Sequence, residues 1–133
     1  MGVPAGNSNS IVVAVDTHIV LVPTPGGPVP TPLPHPFNGK VDGGLVQFVK
    51  IGGQPAAVVD STATNNPSHI PTPPGTSFQT PPADKGTVSM GSTSVKIGGK
   101  AAARVGDLVE TCNDPANAPV GQITSGAPSV LIG

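Results

Sequence analysis

The chain has 133 residues, 18 of them Gly and 18 Pro, with no Trp or Tyr, and its six basic and seven acidic residues leave a net charge of −1. That length indicates one domain, the lack of any basic block argues against a nucleic-acid partner, and a single cysteine, Cys112, excludes an internal disulfide. A core drawn mostly from Val, Ile and Ala gains little burial against the entropy of ordering the chain, so the fold needs a metal, a cross-link or a partner to hold it.

Taken in order, Met1 to Ser10 is small and polar and reads as a loose lead-in. Ile11 to Val15 reads as a buried strand, followed by Asp16-Thr17-His18 and a second apolar run, Ile19 to Val22. No residue before Lys40 is basic, and Asp16 and His18 interrupt the apolar stretch, so neither a signal peptide nor a membrane span is expected. The chain is therefore expected to be made and folded in the cytoplasm. Pro23 to Phe37 carries seven prolines, which forbid helix and remove ladder donors. It reads as a stiff extended strap or, on composition alone, as a Pro-rich linker.

Phe37 to Gly44 is rich in turn residues, and Leu45 to Ile51 is a strand. Ser61 to Gly86 reads as a long polar connection holding His69, and Thr87 to Ile97 as a hairpin around Gly91-Ser92. Leu108 to Pro119 reads as a loop holding Cys112, before two last short strands, Val120 to Thr124 and Ser129 to Ile132. No helix signal of useful length appears. The expected fold is all-β with long, ordered, Pro/Gly-rich loops.

Two stretches repeat: FVKIGGQPAAVVD, Phe48 to Asp60, and SVKIGGKAAARVGD, Ser94 to Asp107. They align without a gap from Val49/Val95 to Val59/Val105, and SVLIG at Ser129 to Gly133 looks like a third, truncated copy. Alternation places Val95 and Ile97 on one face and Lys96 on the other. The Gly-Gly pair suits a two-residue hairpin turn whose central positions both need positive φ. An architecture of repeated hairpins follows.

Four residues can bind a transition metal through soft or borderline atoms: His18, His35, His69 and Cys112. Their spacing is irregular, but three of them follow an apolar run that ends in an acid: His18 after Asp16, His69 after Asp60 and Cys112 after Asp107. If equivalent strands rise to a common end, these ligands arrive together, and His35, gripped between Pro34 and Pro36, supplies the fourth. Three imidazoles and a thiolate form a closed tetrahedral set for one structural Zn²⁺ per chain, with bonds of about 2.0–2.1 Å to N and about 2.3 Å to S. Such a site also supplies the missing staple.

These features together resemble the PAAR and PAAR-like family: Pro55-Ala56-Ala57, Ala101 to Arg104 with the following Val105-Gly106-Asp107, the TPGGPVPTPLPHPF strap, and the three-His, one-Cys inventory. The first copy departs from the pattern with Val58 in place of Arg, and the second with Ala101 in place of Pro. The resemblance covers the whole of 1–133 as a single spike-tip domain. Because the chain stops at Gly133 directly after a strand, no C-terminal effector extension is expected.

The resemblance implies a small cone of short β-hairpins with pseudo-threefold repeats. It would sit on a trimeric β-helical spike, VgrG-like or of the phage-tail type, one tip per trimer, in a type VI secretion system or related contractile injection machine. It also implies that His18, His35, His69 and Cys112 hold zinc at the apex. The role is structural rather than enzymatic: to sharpen and rigidify the spike, with effector cargo as a further partner class. Contact with the target membrane would be transient, and delivery would be outside the cell or into a target cell. Two rival classes are a zinc-dependent hydrolase, with water on the metal near Asp16, Asp107 or Glu110, and a Pro-rich disordered adaptor. No paired acid/base constellation or phosphate loop stands out in favour of an enzyme.

Overall fold

The computed structural model describes residues 2–133. Its strands are β1 (Val3–Ala5), β2 (Ile11–Val22), β3 (Val29–Gly43), β4 (Val46–Ile51), β5 (Gln54–Ala56), β6 (Thr62–Asn65) and β7 (Ser77–Phe78). They continue as β8 (Lys85–Val88), β9 (Lys96–Ile97), β10 (Lys100–Ala101), β11 (Leu108–Thr111), β12 (Ala118–Ile123) and β13 (Ala127–Ile132). No helix occurs among the described residues, so none is long and apolar enough to cross a membrane. The fold is all-β, as the sequence predicts.

Six strands close into a small antiparallel barrel in the order β2-β3-β6-β8-β11-β12, with β12 pairing back onto β2. The order alternates rising strands (β2, β6, β11) with returning strands (β3, β8, β12), giving three hairpins around one axis. Period-2 alternation turns Val12, Ala14, Asp16, His18 and Val20 of β2 inward and leaves Val13, Val15 and Thr17 outside. Val12, Ala14, Phe37, Val41, Ala63, Val88, Val109 and Ile123 fill the barrel.

Three smaller hairpins form the base: β4–β5, β9–β10 and β13–β1. The first two turn through Gly52-Gly53 and Gly98-Gly99, all four at positive φ, as the Gly-Gly motif requires. The third is assembled from both ends of the chain. Val3 pairs with Ile132 just as Gln54 pairs with Ile51 and Lys100 with Ile97. SVLIG is thus half of a full repeat, and Pro4-Ala5-Gly6 is the other half. The lead-in reading of Met1 to Ser10 is corrected for the described residues, which take the place of PAA in the first repeat.

A closed backbone ring links the three copies. Gly6 N–H donates to Ala103 O, Ala103 N–H to Ala57 O, and Ala57 N–H to Gly6 O, at 2.8, 3.0 and 3.1 Å. A second ring runs Val105 to Pro4, Ser8 to Pro55 and Val59 to Ala101. Each copy then turns upward through a side-chain cap: Ser10 Oγ on Asn7 N–H, Ser61 Oγ on Val58 N–H, and Asp107 Oδ2 on Arg104 N–H. Only small residues fit where three backbones converge, and Ala5, Ala56, Ala57, Ala102 and Ala103 are fully buried. The equivalent of Asp107 in the copy built from the chain ends is therefore Ser10, whereas Asp16 lies in mid-strand. Asp60 makes no cap; at φ 77° it pairs with the exposed Lys100 at 3.1 Å.

The Pro-rich segment is no linker; it is extended, as expected, and from Val29 onward it is ladder-paired rather than a free strap. It is strand β3, paired with β2 from Val22↔Val29 to Ile11↔Lys40. Antiparallel ladders alternate hydrogen-bonded and non-bonded pairs, and Pro30, Pro32, Pro34 and Pro36 recur at that period. All four take positions that owe β2 no N–H and turn their carbonyls to the open edge, where Pro34 O accepts the Thr72 hydroxyl at 2.7 Å. An edge without donors cannot recruit another strand in the usual way. The turn-rich signals of Asn38-Gly39 and Asp42-Gly43 are overridden by pairing with β6. Likewise Thr87 to Ile97 is no hairpin, because β8 pairs with β6 and β11. Leu108 to Thr111 is strand β11 rather than loop.

Arg104 ties the last repeat to the closing strand. Its guanidinium forks onto Asp107, 2.8 Å to Oδ1 and 3.1 Å to Oδ2, and reaches Gly133 O at 3.0 Å. Asp107 is buried, so removing its partner strands a carboxylate. Arg104→Ala is expected to cost about 1.5–3 kcal/mol in chemical denaturation, and Val58, its counterpart in the other copy, shows that the ring itself does not need the charge. A change below a few tenths of a kcal/mol would show that the fork is ornamental.

Candidate metal centre

Above the apolar layer the same inward faces carry polar groups. Asp16 and His18 continue the row of Val12 and Ala14 along β2, and His35 continues the row of Phe37 on β3. His69 follows β6, and Cys112 follows β11. All five side chains are buried. The three imidazoles lie with ring centroids 4.9–5.7 Å apart. Phe78 on β7 packs against His18 and His35, and Phe37 against His69, which seals the cluster with two of the chain's three Phe.

One ligand atom each from Asp16, His18, His69 and Cys112 lies within 4.8 Å of all the others. Cys112 Sγ is 3.6 Å from His18 Nε2 and 3.5 Å from Asp16 Oδ2, and His69 Nε2 is 2.9 Å from Asp16 Oδ2. His35 stands beside this group with both nitrogens engaged on backbone. Its Nδ1 is 2.9 Å from Leu33 O, and its Nε2 accepts from Thr72 N–H at 3.1 Å. The fold thus brings all four sequence-predicted residues together, and three of them share the tight cluster.

The fourth member of that cluster, Asp16, was expected only as a base beside a metal-bound water. Its signal was legible in Asp16-Thr17-His18: on a strand, residues two apart share a face. The supporting groups gave no such signal. Thr111 Oγ1 donates to Asp16 Oδ1. Asp84, at φ 56°, accepts both the His69 N–H at 2.9 Å and the Asn65 amide at 3.1 Å, and the same amide reaches His69 Nδ1 at 3.2 Å.

These residues fit a bound cation on two counts. The Asp16 carboxylate is wholly buried, with His69 Nε2 at 2.9 Å and no Lys or Arg beside it, a costly arrangement in the absence of a positive charge. His18 Nδ1 is the one buried side-chain nitrogen or oxygen among the described residues without a hydrogen bond; Asp114 Oδ2, which accepts the Ile19 N–H, stands 3.5 Å away. A His that ligates through Nε2 turns Nδ1–H toward such a carboxylate. Burial, and then the Asp16 charge, push the Cys112 thiol from its ordinary 9.0 to about 11. Burial also lowers the pKa of His35, which favours the neutral ring. A thiol so placed stays protonated until a cation displaces its proton.

Residues 79–133 match the family model of the PAAR motif. The chain therefore carries a PAAR motif over this stretch. No curated protein matches it. PAAR motifs belong to structural, spike-tip proteins of contractile injection systems. The matched stretch holds the β9–β10 hairpin, Arg104 and Cys112, while Asp16, His18, His35 and His69 lie outside it.

Proposed function

We propose that this chain is the tip of a spike in a contractile injection machine, a type VI secretion system or a relative, seated one copy per trimer on a trimeric β-helical spike. The observation that carries the proposal is the ring of Gly6, Ala57 and Ala103, which gives a single chain a threefold base. A monomer can meet a true threefold partner squarely only if its own contacts repeat three times around the axis. The base hairpins also leave apolar side chains in water: Phe48 is 81% exposed and Leu131 61%. Patches of this kind mark docking surfaces.

At the other end, a zinc ion held in the cluster around His18, His69 and Cys112 ties β2 and the segments after β6 and β11 at one point, a structural role with no open coordination position. That cross-link suits an apex loaded in compression. Assembly would take place in the cytoplasm, with delivery outside the cell or into a target cell on the spike, and effector cargo as a further partner.

Native mass spectrometry after co-expression with a trimeric spike protein of such a machine tests the proposal. One chain per trimer is expected, with binding weakened when Phe48 and Leu131 are replaced by Ser. Failure to bind any such spike, or three chains per trimer, would refute it.

A further inference from the structure

The metal-bearing tip proposed above is the premise here; on it, we infer that the fourth donor in this chain is the Asp16 carboxylate and that His35 is a positioning residue. Bonds of about 2.0–2.3 Å set the donor–donor edges of a tetrahedral zinc site at about 3.3–3.8 Å. The Sγ–Nε2 separation of 3.6 Å to His18 and the Sγ–Oδ2 separation of 3.5 Å to Asp16 already have that length. His69 Nε2 closes the set, sharing a proton with Asp16 Oδ2 at 2.9 Å in the place a cation would take. Thr111 and Asn113 engage Oδ1, at hydroxyl and amide, and leave Oδ2 directed at the cluster.

His35 is spent elsewhere. Its Nε2 lone pair accepts the Thr72 N–H, so its proton is on Nδ1 and donates to Leu33 O. The Nε2 bond staples the segment after His69 onto β3, the Nδ1 bond fixes the ring against its own strand, and the Thr72 hydroxyl on Pro34 O repeats the staple.

X-ray absorption at the zinc edge on the purified full chain counts the imidazoles directly and needs no variant. Two imidazoles, one sulfur and one oxygen are expected; three imidazoles and one sulfur would overturn the assignment. Chelator competition adds a second measurement. Asp16→Asn is expected to weaken zinc retention by about 100-fold or more, with His35→Gln held to about tenfold, the range of a supporting group. His35→Gln losing zinc as fully as Cys112→Ser while Asp16→Asn keeps it would also overturn the assignment. A wild-type chain that takes up neither zinc nor cobalt on reconstitution would instead remove the premise, and the two failures are thereby distinguished.

Discussion

Stripping the ion from the purified chain with a chelator is expected to lower its melting temperature by about 10–25 °C, and restoring zinc to reverse the drop. The size follows from linkage. An ion present at a thousand times its dissociation constant stabilises by about 4 kcal/mol, and each kcal/mol moves the midpoint of a domain this size by about 3–6 °C. The effect should be this large because the barrel has little else to hold its upper end. Between Ala14 and Val20 on β2, and directly above Phe37 on β3, the inward positions are Asp16, His18 and His35, which contribute no apolar burial and must be satisfied as polar groups.

The ion-free form should also show a narrow stability window. A folded-state pKa below the ordinary value, as at His35, gives stability that is present above about pH 6.5 and lost as the pH falls below it, because the unfolded chain then binds the proton more readily. Raising Cys112 to about 11 has the opposite sign, with stability kept below 9.0 and lost between 9.0 and about 11. Zinc uptake at neutral pH should release the thiol proton, measurable as a buffer-dependent heat of binding. Melting curves that coincide with and without chelator across this range would refute a structural ion.

Much of the base was legible in the chain because its constraints are local. Gly52-Gly53 and Gly98-Gly99 announce their turns through a backbone conformation that side chains rarely adopt, and alternation assigns the faces of the short strands around them. The third hairpin was half hidden because it is closed by β1 and β13, whose residues lie at opposite ends of the sequence, and no local pattern joins Val3 to Ile132. Proline was misleading in a different way. Its missing N–H counts against a strand only where the ladder needs that donor, and Pro30 to Pro36 use alternate positions that face the open edge. The convergence of His18, His35, His69 and Cys112 was legible from residue type and from their places after the apolar runs, and three of them share the tight cluster with Asp16. Asp16 reads in the sequence only as a base beside a metal-bound water, although its two-residue spacing to His18 on one strand places both on the same inward face.

Gly39→Ala should be among the most damaging single-methyl changes, costing about 3 kcal/mol or more and emptying part of the metal centre. Gly39 lies inside the barrel between Val12 of β2 and Asn65 of β6. A Cβ there would sit 2.2 Å from Thr64 O and 2.7 Å from Thr64 C, both backbone atoms that no side-chain rotation can clear. The two strands must part, and overpacking of this kind costs at least the upper end of the usual range. The displacement would be passed directly to the site. Thr64 leads into Asn65, whose Oδ1 accepts Asn38 N–H at 2.9 Å and whose amide faces His69. Gly53→Ala is the matched control. Nothing lies within 4 Å of its added methyl, and only its φ of 81° is penalised, so about 1–2 kcal/mol is expected with zinc content unchanged. Thermal melts and zinc per chain, measured on both variants, separate the cases: Gly39→Ala loses stability and zinc together, Gly53→Ala stability alone. A Gly39→Ala protein that melts with the wild type and holds its zinc would mean that β3 and β6 do not approach as closely as their pairing requires.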